Sequence, residues 1–254
     1  MIENTGQAPV WILAAIVFAI TIFLASCVYA MVFKLDKIFS VEISPGFFTP
    51  MSATFGLIIG FLASQVWSDN SRAISAVMRE ASALKTIVTI SDIFPAPTKK
   101  ILEASAINYI DHSVNTEWPA MQQARSYNGL ADDGNNEGLK FVILITPQNE
   151  TEASAKQQLL KSYSTLYEAR SERLFLSGTS VNPLKWFIVT TFAVLLMFIT
   201  VLIHRADRKS ARCALALLCC AITLSYVLIL AHDRPFTGFV AIKPDLLLNA
   251  KPAQ

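Results

Sequence analysis

Four long apolar segments, two on each side of a polar middle, dominate the hydropathy pattern of this 254-residue chain. They comprise residues 9–33, 47–67, 186–203 and 213–231, and none of them contains Asp, Glu, Lys or Arg. A bilayer core about 30 Å thick needs about 20 apolar residues in helical form, because only a helix or a closed barrel satisfies its own backbone there. We therefore predict an all-α, polytopic membrane protein with four transmembrane helices.

The second apolar segment is predicted to continue beyond the membrane as one long helical rod. After Trp67, apolar residues recur with the spacing of a single helical face, at Ile74, Val77, Met78, Ala81, Leu84 and Val88. Pro95 and Pro97 end this pattern, so the rod is expected to stop near Ser91.

The rest of the middle region reads as two further helices joined by loops. Thr98 is placed to cap a helix that continues to about Glu117, and a third helix is expected over about 151–176. Between them, 126–138 is a polar loop, and 141–145 fits either a short strand or buried coil. We therefore divide the chain at 1–67 and 184–231 for the membrane helix pairs, 68–183 for a helical soluble region, and 232–254 for a C-terminal tail.

Composition and chemistry argue against several functional classes. A net charge of +2 is too small to indicate a nucleic-acid partner. The three histidines are scattered, and the sequence has no nucleophile motif and no glycine-rich phosphate loop, so we expect no enzyme, no metal and no cofactor. Asp132, Asp133 and Glu137 lack the ligand spacing of an EF-hand and indicate a solvated turn. The four cysteines all lie in apolar segments, as packing thiols do.

The second apolar segment carries the most informative pattern. Gly56 and Gly60, followed by Ser64, form a small-residue face that would let another helix approach closely. A neighbouring line is polar at both ends and apolar in the middle, and consists of Thr54, Leu57, Phe61, Ser64 and Ser68. In a ring of helices this line would give a hydrophobic constriction flanked by hydroxyl donors. The alternative is that Leu57 and Phe61 contact lipid or a neighbouring helix.

Charged residues of the middle region are expected to stabilise the fold. Glu80 and Glu117 are predicted to pair with Arg170 and Arg173 across the helical bundle, since carboxylates on packed helices need partners. A turn follows the fourth apolar segment and consists of Asp233, Arg234, Pro235, Phe236 and Gly238. Its proline ends the helix, and its arginine suits the membrane interface.

Together these motifs resemble the bacterial bestrophin-like family of membrane proteins. The resemblance covers the chain from about residue 47 and is carried by Phe55-Gly56-Leu57, Gly60-Phe61, Trp67, Glu80-Ala81, Tyr109, Glu117-Trp118-Pro119, Arg170, Arg173-Leu174 and Asp233-Arg234-Pro235-Phe236-x-Gly238. More distantly the chain is similar to true bestrophins, which are pentameric anion channels with two membrane helices on each side of a cytosolic helical region. That likeness implies a pore neck at Phe61 and Leu57.

The sequence also departs from true bestrophins. Trp67 is single and comes early after Gly60-Phe61, and no acidic residue precedes Asp245 after the Pro-Phe-x-Gly turn. The resemblance therefore does not imply calcium gating of the bestrophin kind.

The leading hypothesis is a homo-oligomeric, pentameric channel for inorganic anions such as chloride. The resemblance implies a multi-pass protein in the lipid bilayer of a bacterial inner membrane, with the middle region in the cytoplasm, although the distribution of basic residues does not decide the orientation. An alternative is a non-conducting scaffold or sensor whose middle region binds a partner or lipid. A small-solute transporter is less favoured, because glycines interrupt only the second segment.

Overall fold

The computed structural model describes residues 10–34, 44–123, 137–238 and 240–252. Its helices are α1 (Val10–Lys34), α2 (Phe48–Ser91), α3 (Ala96–His112), α4 (Trp118–Gln122), α5 (Glu137–Leu144), α6 (Glu150–Ser177), α7 (Pro183–Ile203), α8 (Arg208–His232) and α9 (Asp245–Leu248). A 3₁₀ turn precedes α2, and a π-helical turn, Ser113–Glu117, joins α3 to α4. The described residues contain no strand. The helices α1, α2, α7 and α8 are long and apolar enough to cross a membrane, which confirms the predicted fold class.

The chain divides into two compact units. The first comprises residues 1–68 and 180–233, and the second comprises 69–179 and 234–254. The helix α2 contributes its N-terminal part to the first unit and its C-terminal part to the second.

The first unit contains the membrane helices and their shared apolar core. Val32, Val189 and Val201 are among its fully buried side chains. Between α1 and α8 the hydroxyl groups of Thr21 and Thr223 lie 2.9 Å apart, so each satisfies the other within apolar surroundings. Capping side chains begin the later helices: the side chain of Asn182 accepts a hydrogen bond from the backbone at the start of α7, and that of Asp207 does so for α8.

The second unit contains the C-terminal part of α2 together with α3 to α6, and the last described residues pack into it. Phe236 is fully buried and meets Trp118 edge to face, with ring centroids 5.7 Å apart. The indole N–H of Trp118 donates to the carbonyl oxygen of Ile242 over 3.2 Å. Leu247, on α9, is also fully buried. The segment that follows α8 is therefore part of the core of this unit.

Helix α6 closely follows its prediction, since 151–176 was expected and Glu150–Ser177 is found. Its start is fixed by two reciprocal bonds. The side chain of Asn149 accepts from the backbone N–H of Glu152 over 2.8 Å, and the carboxylate of Glu152 accepts from the backbone N–H of Gln148 over 2.9 Å. The predicted end of the α2 rod at Ser91 is also confirmed.

Two local predictions were wrong. The segment 141–145, expected as strand or coil, lies largely in α5, because a short apolar run does not by itself distinguish helix from strand. Thr98 does not cap α3, which begins at Ala96 behind Pro95 and so contains Thr98 in its first turn. Most of the predicted polar loop, including Asp132 and Asp133, lies outside the described residues.

The wide π turn after α3 has a cause in the sequence. The backbone N–H of Trp118 donates to the carbonyl of Ser113, five residues earlier. Pro119 has no N–H, and in a regular α-helix its ring would collide with the carbonyl of Asn115, four residues back. A wider turn relieves that crowding, so the helical path continues through the proline.

Candidate functional site

The membrane part of α2 has one face that its own chain leaves open. All five residues of the predicted pore line, Thr54, Leu57, Phe61, Ser64 and Ser68, are exposed in the single chain. Leu57 is 60% exposed and Phe61 is 67% exposed. On the other side of the helix Leu62 and Val66 are buried in the core of the first unit, so only that side packs within the chain.

The open face of α2 differs in composition from the exposed faces of the other membrane helices. The exposed surface of α1 carries large apolar side chains such as Trp11 and Phe23, and that of α8 carries Leu217 and Leu224. Such surfaces suit contact with lipid. The open face of α2 instead mixes two large apolar residues with hydroxyl residues and glycine. This face is therefore the part of the membrane unit least suited to lipid.

Gly56 and Gly60 also lie on the exposed side of α2. Within the described residues, no atom from another part of the chain lies within 4 Å of where a Cβ would stand at either position. The close helix approach that these glycines allow is thus not used within one chain, and a neighbouring molecule has room to use it.

The second unit contains a buried network of charged side chains centred on Arg173. Its guanidinium group makes a two-point contact with Glu80, from Nε to Oε2 over 2.6 Å and from Nη2 to Oε1 over 2.8 Å. The same Nη2 donates to Oε2 of Glu117 over 2.5 Å. The guanidinium carbon also lies 5.1 Å from the ring centroid of Trp118, within the range of a cation–π interaction.

The other members of the network complete its hydrogen bonding. Arg170 donates from Nε to Oε1 of Glu117 over 2.7 Å, and the hydroxyl of Tyr109 donates to Oε1 of Glu80 over 2.6 Å. The structure thus brings together Glu80, Glu117, Arg170 and Arg173, the four residues that the sequence pattern pairs. Two carboxylates face two guanidinium groups, so their formal charges cancel.

Burial and the opposite charges act against each other on the ionisation of these groups. Burial by itself would raise the pKa of Glu117, but the guanidinium groups of Arg173 and Arg170 outweigh it and lower the pKa below its usual range. Burial would lower the pKa of Arg173, yet the negative charge of Glu80 raises it. For Tyr109, burial and the adjacent carboxylate of Glu80 both raise the pKa well above its usual value. All three groups therefore hold fixed protonation states at neutral pH.

The network is a structural element by its geometry. The side chains of Glu80, Glu117 and Arg173 have no solvent-exposed surface, so they offer a dissolved ligand no surface to contact. Sequence reasoning did not include Tyr109 in this network. The available signal was its spacing, because Tyr109, Ser113 and Glu117 recur every four residues and all face Arg173 or its partner Glu80.

The turn after α8 contributes to both units. The carboxylate of Asp233 accepts a hydrogen bond from the backbone N–H of Val181 over 2.7 Å within the first unit. In the second unit Phe236 is buried with Pro235, while Arg234 is exposed. Gly238 has φ of +85°, a left-handed conformation that glycine adopts at little cost and other residues rarely adopt.

Four membrane-length helices and a helical soluble unit define a multi-pass membrane protein. The chain belongs to the bestrophin-like family, whose Bestrophin-like domain matches residues 13–247. No curated protein matches it.

Crystal structures of bacterial bestrophin homologues share the fold. Two variants of a homologue from Klebsiella pneumoniae are similar to this chain, with TM-scores of 0.62 and 0.64 at 12% and 13% identity. The matches cover 94% of this chain, and 96% and 97% of those chains. A crystal structure of another membrane protein variant matches with a TM-score of 0.66 at 11% identity, over 94% of this chain and 96% of that one.

Proposed function

We propose that this protein is a homopentameric anion channel of the bacterial inner membrane, with chloride-like inorganic anions as its permeant ions. Five copies of α2 surround the axis, and Phe61 with Leu57 forms a hydrophobic neck. Thr54 precedes the neck along the helix, while Ser64 and Ser68 follow it. The middle region lies in the cytoplasm.

One observation carries the proposal, namely that α2 leaves a mixed hydroxyl and aromatic face open while its opposite side packs in the first unit. A hydrophobic constriction gates by excluding water, and hydroxyl donors replace part of an anion's hydration shell. The face contains no acidic residue that would repel anions. Membership of the bestrophin-like family supports the same assignment, since channels are known among proteins of this fold.

The first test is the stoichiometry of the purified protein, followed by chloride flux into liposomes. The decisive variant is Phe61→Ala, which widens the neck and should raise the flux per pentamer. Phe23→Ala is a matched control, because Phe23 lies on α1 and is also 67% exposed. We expect the control to conduct like the wild type. A monomer or dimer in native mass spectrometry would contradict the ring, and an active channel with unchanged flux in Phe61→Ala would remove Phe61 from the neck.

A second candidate is a scaffold or sensor whose soluble unit binds a partner protein. It is favoured by the exposed apolar end of α5, where Ile143 is 57% exposed and Leu144 is 79% exposed. A partner that copurifies with the full-length wild type but not with Leu144→Ser, together with the absence of chloride flux, would favour this function over the channel.

A further inference from the structure

The open face of α2 extends well beyond the predicted pore line. Residues spaced alternately by three and four positions continue it to the end of the helix. The full series is Thr54, Leu57, Phe61, Ser64, Ser68, Ser71, Ser75, Met78, Ser82, Lys85 and Thr89. All of them are exposed in the single chain. We call these eleven residues the α2 stripe.

The spacing of the α2 stripe is that of a heptad repeat. Such a repeat stays on one side of a helix only if the helices supercoil, since a straight α-helix drifts by about 20° per heptad. Over the five heptads from Thr54 to Thr89 the drift would be about 100°. A left-handed tilt of the α2 helices in a ring keeps the whole stripe facing the axis.

The composition of the stripe argues against a packed seam between helices. Heptad positions that pack directly on a neighbouring helix carry Leu, Ile or Val. From Ser64 to Thr89 the stripe holds six hydroxyl residues, with Met78 as its one apolar member. Side chains of this kind suit water and hydrated ions.

The stripe has a single charged residue, Lys85. The two acidic residues of α2 lie elsewhere, because Glu80 is buried in the charge network and Asp69 is not part of the stripe. The other cations of α2 are Arg72 and Arg79, and both form ion pairs with Glu172 on α6. Among the described residues, no carboxylate lies within ion-pair distance of Lys85. Its charge is thus directed to the open side of the helix.

We infer that Lys85 forms a ring of five positive charges within the anion pathway and that this ring sets the preference for anions over cations. The inference rests on the proposed channel, because one copy of α2 encloses no pathway. A ring of like charges on a water-lined face raises the local concentration of anions and lowers that of cations. Its ligand class is a hydrated inorganic anion.

The test is the ratio of chloride to sodium permeability, taken from reversal potentials of the full-length protein in planar bilayers. In 10 mM salt we expect Lys85→Glu to lower this ratio by about tenfold. The effect should be much smaller in 1 M salt, where charges are screened beyond about 3 Å. Lys100→Glu is the matched control, since Lys100 is exposed on α3 and the change in net charge is the same. We expect it to leave the ratio unchanged.

A second variant tests the path without changing Lys85. In a chain whose four native cysteines are replaced by serine, Ser82→Cys should react with a negatively charged thiol reagent, and the reaction should reduce the current. Ser164→Cys, exposed on α6, should leave the current unchanged after the same treatment.

The outcomes separate this inference from the proposed function. No anion current in the wild-type pentamer overturns both. A wild-type current that Phe61→Ala increases, with permeability unaltered in Lys85→Glu and no effect of reagent at Ser82→Cys, overturns the Lys85 ring and retains the channel. Spontaneous disulfide cross-linking at Ser82→Cys without reagent access would show that the stripe packs against its copies and would also overturn the ring.

Discussion

The buried charge network makes a quantitative prediction for Glu117→Gln. The carboxylate of Glu117 accepts from Arg170 over 2.7 Å and from Arg173 over 2.5 Å, with no solvent-exposed surface. The amide keeps the shape, yet its NH₂ group turns a donor toward guanidinium donors, and the network gains a net charge of +1. Removing one partner of a buried ion pair costs about 3–5 kcal/mol. Because Arg173 keeps its two bonds to Glu80, we expect the lower end, about 3 kcal/mol.

Thermal unfolding of the detergent-solubilised protein, followed by circular dichroism, measures this cost. For a chain of this size, 1 kcal/mol shifts Tm by about 2–4 °C, so we expect Glu117→Gln to lower Tm by about 6–12 °C at pH 7. Glu168→Gln is the matched control on α6, where Glu168 is exposed and accepts from Ser164. Its Tm should stay within about 2 °C of the wild type.

The pH dependence gives the prediction a second readout. Because the pKa of Glu117 is lower in the folded protein, its contribution is fully present above the unfolded pKa of about 4.3 and is lost as the pH falls through the folded pKa. The difference in Tm between wild type and Glu117→Gln should therefore be constant near neutral pH and shrink below about pH 4.3. A loss of less than about 2 °C at pH 7, or a difference that grows on acidification, would refute the reasoning.

Two further predictions concern α5, which the hydropathy pattern did not reveal. Gly138→Ala should cost about 1–3 kcal/mol in thermal unfolding, because its methyl group would overlap side chains of α3 and α6, whereas Gly178→Ala, with its nearest neighbour at 3.7 Å, should cost far less; equal Tm values would contradict this contact. Lys156→Ala should speed hydrogen exchange in α5, since its ammonium group donates to the last carbonyls, including that of Ile145 over 2.7 Å, and unchanged exchange, as expected for the exposed control Lys161→Ala, would reject this cap.

Sequence reasoning succeeded where the controlling physics is local or follows from charge. Four uncharged apolar runs require membrane-length helices, because charges are costly inside a bilayer. The pairing of Glu80 and Glu117 with Arg170 and Arg173 could be anticipated, since buried carboxylates need partners.

It failed where long-range packing decides the local structure. The burial of Phe236 depends on Trp118, more than a hundred residues earlier, and no local pattern announces that contact. Pro119 was expected to limit its helix, but a π turn accommodates it. Which face of α2 stays open depends on which side the chain itself covers, and periodicity gives the faces without saying which one is covered.

In the second unit, the charge network explains why the stripe on α2 is the open face. Successive residues of an α-helix are rotated by about 100°, which places Ser75, Met78, Ser82 and Lys85 about 140–220° around the helix from Glu80. Glu80 is held by two bonds from Arg173 and one from Tyr109, so α2 cannot rotate without breaking a buried ion pair. The buried charges therefore fix the direction in which the exposed lysine and hydroxyl groups point. This accounts for the high cost of disturbing a network that no dissolved ligand contacts.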